Sequence, residues 1–214
     1  MFPRNRAQKF CHAYSNQMWK VLITVLVALM CACAFAAGPK RRVYRRLLSP
    51  AEIDALLEGA EFSPSVTVGK DQDTVTQNRV SETAWVDKPE IVRQLLRRIG
   101  VPGRRYCEKL QVVRYKQGGY FRPHYDSIKD PESTYADSFK NHGHRRYTLL
   151  ISLSEPEAYG GGETVFVKPK KAYKLRKGDG LLFRNVDHKG NLMNMHGGSP
   201  VSSGQKMICN LWVH

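Results

Sequence analysis

Three rhythms of apolar and polar positions divide the chain. The first is an unbroken apolar run, VLITVLVALMCACAFAA, over residues 21–37. Its 17 residues stand at the short end of the about 20 that cross a bilayer as a helix. The second rhythm has a period of 3.6 and occurs twice. Ser49-Pro50-Ala51-Glu52 reads as a capping box, followed by Ile53, Leu56 and Leu57 on one face and Gly59 as a stop. Asp87-Lys88-Pro89-Glu90 reads as a second box, ahead of Ile91, Val92, Leu95, Leu96 and Ile99. Arg97 and Arg98 complement the dipole at that helix end, and Gly100 closes it.

The third rhythm starts at Lys109, where short β-like runs take over: KLQVVRY, YFRPHYD, YTLLISL, ETVFVKP, AYKL, GLLFRN and KMICNLWV. Gly118-Gly119, Gly160 to Gly162, Gly178-Asp179-Gly180 and Gly197-Gly198 punctuate them as turns. Many short strands between turn signals predict a sandwich or a jelly roll, with the two helices packed on one sheet. The class is α+β, mainly β. Residues 127–144 are polar and aperiodic, the signature of a lid or binding loop. The expected organisation is an N-terminal apolar segment over residues 1–37, a basic linker over 38–48, a helical part over 49–108 and a β core over 109–214.

The apolar segment has no acid before it, and Arg4, Arg6, Lys9 and Lys20 lead into it. Ala34-Phe35-Ala36 offers a cleavage site, so a signal peptide and a signal anchor both fit. The basic cluster of Lys40, Arg41, Arg42, Arg45 and Arg46 argues the other way, because positive charge holds the downstream side in the cytosol. The expectation is the secretory pathway, in the lumen or membrane of the endoplasmic reticulum, with membrane attachment open.

Bulk composition changes little. The formal net charge is +15, yet the basic residues are scattered and no nucleic-acid module is present, so a solvated basic surface is expected and no nucleic-acid partner. Cys107 and Cys209 are left in the folded part. They make at most one bridge or two buried thiols.

The chemistry lies in GGYFRPHYDSI, residues 118–128. In a strand, positions i and i+2 share a face, so His124 and Asp126 offer an imidazole nitrogen and a carboxylate to one point. That is two-thirds of the 2-His-1-carboxylate set of non-haem Fe(II) oxygenases. Among the remaining histidines His196 is the best third ligand, because Lys206 follows ten residues on, at the start of a strand. An inward lysine is costly unless an anion meets it. Iron with such a lysine calls for a chelating acid that has a second carboxylate, which describes 2-oxoglutarate. His142, His144 and His188 read as ordinary polar histidines.

Several separated motifs resemble one family. RVSETAW, EKLQVVRYKQGGYFRPHYD, RRYTLLISL, GGETVF, KGDGLLFRN and HGGSPVSSGQK…W occur in the order and spacing of the 2-oxoglutarate/Fe(II) dioxygenases of the prolyl 4-hydroxylase type. The resemblance covers about residues 47–214. It implies a double-stranded β-helix with supporting helices. It implies Fe(II) on His124, Asp126 and His196, with open positions for 2-oxoglutarate and dioxygen. The distal carboxylate of 2-oxoglutarate would pair with Lys206, helped by the Tyr115 hydroxyl, and Thr148 would line the same pocket. The cosubstrate is then decarboxylated to succinate as a prolyl residue of an extended, proline-rich peptide is hydroxylated. Ascorbate is implied as a further requirement, and Arg145 matches a family position with no role assigned. Three departures stand out. Ser152 replaces a frequent tyrosine, Ser199 a cysteine, and Met207 a tryptophan, which leaves Tyr115 and Lys206 with more of the anchoring. A different oxygenase substrate and a non-catalytic binding module are the alternatives.

Overall fold

Alternation of side chains along the β runs decides the architecture. The computed structural model describes residues 41–65, 78–101, 106–127 and 141–214. The apolar run of residues 21–37 with its two cysteines, Cys11, and most of the expected lid lie outside the described residues. Among the described residues no helix is long and apolar enough to cross a membrane.

In chain order the elements are β1 (Arg41–Tyr44), α1 (Pro50–Leu57), β2 (Ser63–Pro64), β3 (Arg79–Val80), β4 (Glu82–Val86), α2 (Pro89–Ile99), β5 (Leu110–Tyr115) and β6 (Tyr120–His124). Then come β7 (Tyr147–Ser152), β8 (Tyr159–Gly161), β9 (Thr164–Phe166), β10 (Lys171–Tyr173), β11 (Gly180–Arg184), β12 (His196–Gly198), β13 (Val201–Gly204) and β14 (Lys206–Val213). A seven-stranded sheet runs β1-β11-β7-β14-β5-β4-β2, and a five-stranded sheet runs β10-β9-β12-β6-β3. Every pairing is antiparallel.

One apolar cluster draws on both sheets: Val113, Leu150, Leu181, Phe183 and Ile208 from the large one, Phe166 from the small one, with Phe121 against it. The sheets therefore face each other, as a jelly roll requires. Residues of opposite parity on the large sheet, Leu110, Val112, Leu149, Ile151 and Leu211, are also fully buried. A sheet buried on both faces needs a cover on its outer side. Helices α1 and α2 carry matching faces, Ile53 and Leu56 on one, Ile91, Leu95, Leu96 and Ile99 on the other. Arg98 of α2 reaches the Glu52 carboxylate and the Leu47 carbonyl oxygen, joining the two helical segments.

The first capping box forms with both arms: the Ser49 hydroxyl accepts from Glu52 N–H and the Glu52 side chain accepts from Ser49 N–H. The second does not. Lys88 is the N-cap of α2, with no side-chain cap bond, and Pro89 opens the helix. Asp87 stands one residue too early, with its carboxylate 3.8 Å from Lys109 Nζ.

The basic linker also needs correction. Arg41–Tyr44 is an edge strand paired with β11. Its charge is accommodated because Arg41 lies over the Phe166 ring at 4.2 Å and donates to the Lys168 carbonyl oxygen at 2.9 Å. Gly197 and Gly198, expected as a turn, belong to β12. The Cys107 and Cys209 thiols are not bridged to each other, and Cys209 is fully buried. Burial raises them to about 11 and about 12, with Glu108 adding to the shift at Cys107.

Candidate active site

His124 ends β6 and His196 begins β12, and the register sets them directly opposite each other. Gly197 permits the approach of the two strands: a Cβ there would sit 2.7 Å from the Phe121 carbonyl oxygen. The sequence expectation placed Asp126 in the same strand as His124. The strand instead stops at His124, and Asp126 follows in the bend. Convergence survives this change, because ligand atoms of His124, Asp126 and His196 all lie within 4.8 Å of one another.

Hydrogen bonds fix the ring tautomers. His124 Nδ1 stands 2.9 Å from the Arg122 carbonyl oxygen, and His196 Nδ1 stands 2.9 Å from the Asn194 carbonyl oxygen. A carbonyl oxygen accepts only, so both Nδ1 atoms carry the proton and donate. The Nε2 atoms of both rings point at one carboxylate. His124 Nε2 is 3.3 Å from Asp126 Oδ1 and His196 Nε2 is 3.7 Å from Asp126 Oδ2. With both rings deprotonated at Nε2, lone pairs would face the carboxylate oxygens and repel unless a cation lay among them. The donor set of two imidazoles and one carboxylate suits ferrous iron, so the residues present fit the metal that the motif implies. His196 is held down at about 4, first by burial, with Asp126 pulling the other way. Burial alone would raise the Asp126 carboxyl, but the two imidazoles and the Thr148 hydroxyl outweigh it and hold it far below the usual carboxylate range.

The surroundings are dry and aromatic. Phe121 stacks on His124 at 3.7 Å, and Phe166 and Phe183 pack on His196 at 5.3 and 4.7 Å between ring centroids. The side chains of Asp126 and His196 are 7% exposed against 24% for His124, so access is from the His124 side.

Thr148, expected along the cosubstrate pocket, donates to Asp126 Oδ2 at 2.6 Å and accepts from Asn185 Nδ2 at 2.8 Å. It meets the site through the carboxylate. Lys206 is buried, opposite Tyr115 in register, and forms no ion pair among the described residues. Burial pushes its ammonium down to about 8, opposed by the charge of Glu163. Tyr115 is also buried, and that burial raises its hydroxyl against the pull of Arg79. The hydroxyl of Ser152, where the family often has tyrosine, turns to the Ser154 carbonyl oxygen at 2.9 Å.

Two groups carry more than the sequence indicated. Arg79 is a buried guanidinium bonded to the Ser81 hydroxyl at 2.9 Å. Arg145 grips Glu108 with Nε and Nη2, at 2.5 and 2.6 Å, while its Nη1 reaches the Asp126 carbonyl oxygen at 3.4 Å. His214 joins the same carboxylate at 2.9 Å, and Arg145 lies over the Trp212 ring at 3.8 Å. Glu108 would be raised by its burial, but His214 and Arg145 hold it below its ordinary value.

Three convergent candidate ligands inside a jelly roll, with a buried lysine that forms no ion pair among the described residues, match the donor set of a 2-oxoglutarate- and Fe(II)-dependent oxygenase. Residues 110–214 match the family described as the 2OG-Fe(II) oxygenase superfamily. A putative prolyl 4-hydroxylase of Acanthamoeba polyphaga mimivirus is 30% identical over 181 residues, which covers 79% of this chain and 72% of that protein. Prolyl 4-hydroxylase subunit alpha-1 of Caenorhabditis elegans is 31% identical over 83% of this chain, but the match spans only 33% of that subunit. The solved viral collagen prolyl hydroxylase of Paramecium Bursaria Chlorella virus-1, in its 2OG complex, is 26% identical, with a TM-score of 0.62 over 83% of this chain and 97% of that one. The chain belongs to the prolyl 4-hydroxylase family of 2OG-Fe(II) oxygenases. It is a dioxygenase whose cofactors are Fe(II), 2-oxoglutarate and dioxygen.

Proposed function

We propose that the protein hydroxylates prolyl residues in peptides to 4-hydroxyproline, with His124, Asp126 and His196 holding the iron. One observation carries the ligand assignment: two imidazoles whose Nδ1 atoms donate to backbone carbonyls aim their Nε2 atoms at one buried carboxylate. The prolyl substrate is supported by the names of the relatives, collagen prolyl hydroxylase and prolyl 4-hydroxylase among them.

When bound, iron with 2-oxoglutarate and dioxygen supplies oxidative decarboxylation of the cosubstrate to succinate and CO2, with one oxygen atom delivered to the substrate carbon. The chain's own residues do the rest. Lys206 takes the distal carboxylate of 2-oxoglutarate as a point charge, and Tyr115 stands beside it. Thr148 sets the plane of the Asp126 carboxylate. Phe121, Phe166 and Phe183 exclude water from the ligand side. Ascorbate is proposed as an additional requirement of turnover. The apolar run of residues 21–37 supports delivery to the secretory pathway, which N-terminal sequencing of the mature protein tests.

The reaction is tested by incubating a proline-rich peptide with enzyme, Fe(II), 2-oxoglutarate and ascorbate, followed by mass spectrometry. A gain of one oxygen atom on proline, with one succinate released per hydroxyl, supports the reading. Oxidation confined to another side chain rejects the prolyl substrate, and no oxidation at all rejects the activity.

A further inference from the structure

The edge strand β1 reaches the metal site through its first residue. The Arg41 guanidinium spreads three bonds over distant parts of the chain. Nε donates to Asn194 Oδ1 at 3.0 Å, Nη1 to the Pro169 carbonyl oxygen at 3.3 Å and Nη2 to the Lys168 carbonyl oxygen at 2.9 Å. Arg42, Arg45 and Arg46 stand exposed, whereas Arg41 is half-buried. It lies outside residues 110–214, the stretch that matches the oxygenase family.

Asn194 passes the contact on. Its carbonyl oxygen accepts from His196 Nδ1 at 2.9 Å, and its Nδ2 donates to the Arg184 carbonyl oxygen at 2.7 Å. Asn194 is buried, with a φ of 58°, in the left-handed region that asparagine tolerates better than most residues. The other histidine shows what this clamp replaces. His124 also donates to the carbonyl two residues before it, but Arg122 lies within β6, where the strand sets the carbonyl direction. Strand β12 begins only at His196, so Asn194 stands ahead of it. Side-chain bonds to Arg41 and to the Arg184 carbonyl hold Asn194 instead. A second contact runs in parallel: Arg41 lies over the Phe166 ring at 4.2 Å, and that ring stacks on His196 at 5.3 Å.

The group bonded to the outer nitrogen of a ligating imidazole orients the ring, and losing such support typically costs 10–100-fold in metal affinity. We propose that Arg41 and Asn194 are positioning residues for His196, which makes edge strand β1 a working part of the metal site. A lysine does not substitute for Arg41, because a compact ammonium does not span the three acceptors that the planar fork meets. This inference rests on His196 as a metal ligand and is independent of the prolyl substrate.

The test is calorimetric titration of the full chain with Mn(II), for the wild type, Asn194→Gly, Arg41→Ala, Arg41→Lys, Arg45→Ala and His196→Ala. Asn194→Gly keeps the left-handed backbone at no steric cost and removes both side-chain bonds. Arg45→Ala is the control for the strand itself: it breaks the 2.6 Å contact with Asp179 and leaves Asn194 untouched. Asn194→Gly and both Arg41 variants are expected to weaken Mn(II) binding about tenfold, with Arg45→Ala within twofold of wild type. NMR of the metal-free protein gives a readout that a merely looser strand would not move. A slowly exchanging His196 Nδ1–H signal is expected in the wild type and Arg45→Ala, and should vanish in Asn194→Gly and Arg41→Ala.

Either residue loses its role if its variant, Asn194→Gly or Arg41→Ala, binds Mn(II) within twofold of wild type and keeps that signal. Both lose it if Arg45→Ala weakens binding as much as they do. The two variants break different links, so one that folds is enough for the decision. Binding abolished in His196→Ala but unchanged in the other variants overturns the positioning role alone. Wild-type affinity in His196→Ala removes the ligand assignment and the positioning role with it.

Discussion

The Thr148 hydroxyl donates to Asp126 Oδ2 at 2.6 Å while it accepts from Asn185 Nδ2 at 2.8 Å. Its one proton is thus committed to the carboxylate, because the amide N–H already occupies its acceptor side. Partners of this kind orient a ligating carboxylate, and their loss typically costs 10–100-fold in metal affinity. Thr148→Val, which keeps the shape and removes the hydroxyl, is expected to weaken Mn(II) binding by about tenfold or more. Thr148→Ser should stay within a few-fold of wild type. Calorimetric titration of the metal reads both.

Lys206 yields a prediction in pH. Its ammonium is lowered to about 8 by burial, from 10.5 in an unfolded chain. Below pH 8 both states hold the proton, and the cost of burying the charge is fully present. Between about 8 and 10.5 the unfolded chain holds a proton that the folded chain has released, so stability of the cosubstrate-free protein rises with pH across that window. On the proposed pairing of Lys206 with the distal carboxylate of 2-oxoglutarate, cosubstrate binding moves oppositely, since that pairing needs the ammonium. KM for 2-oxoglutarate should climb above pH 8, and Lys206→Arg should flatten that climb. Lys206→Met should raise KM at pH 7 by roughly thirtyfold, the lower end for truncating one partner of a buried charge pair.

Glu108 and Arg145 make a stability prediction. Their side chains are 12% and 9% exposed, and the guanidinium meets the carboxylate with two nitrogens. Removing one partner strands the other's charge in the interior, at about 3–5 kcal/mol. Arg145→Ala is expected to lose that amount in urea unfolding at pH 7. Glu108 has a lowered pKa in the folded chain. Its contribution is therefore complete above the ordinary carboxylate range and is lost as pH falls through the folded value. The stability gap between wild type and Glu108→Gln should narrow steadily as pH is lowered below about 4.5. A gap independent of pH would remove the ionised pair from the account.

Local signals carried much of this fold, and the failures have physical causes. Ser49 and Glu52 are three residues apart and satisfy each other, so their cap was legible from spacing alone. Asp87 has the same spacing to Glu90, but Pro89 opens the helix after Lys88 and leaves the aspartate outside. Edge strand β1 was hidden because three of its four residues are charged or polar, and Arg41 finds partners across the molecule, at Phe166 and Lys168. Strands β8, β12 and β13 are short and glycine-bearing, and such sequences read as turns until a distant strand pairs with them. The convergence of His124, Asp126 and His196 was legible because the chemistry of three donors restricts which residues can serve. The Glu108–Arg145–His214 cluster was not, since its members lie 37 and 106 positions apart and only the folded sheet assembles them.

One ferrous ion shared by His124, Asp126 and His196 is the centre of the proposed activity, and anaerobic titration of the full chain with Fe(II) measures it directly. The wild type is expected to bind one equivalent tightly, and His124→Ala, Asp126→Ala and His196→Ala should each lose that binding while remaining folded by circular dichroism. Wild-type affinity retained in any one of the three variants would contradict the assignment of these residues as the metal site.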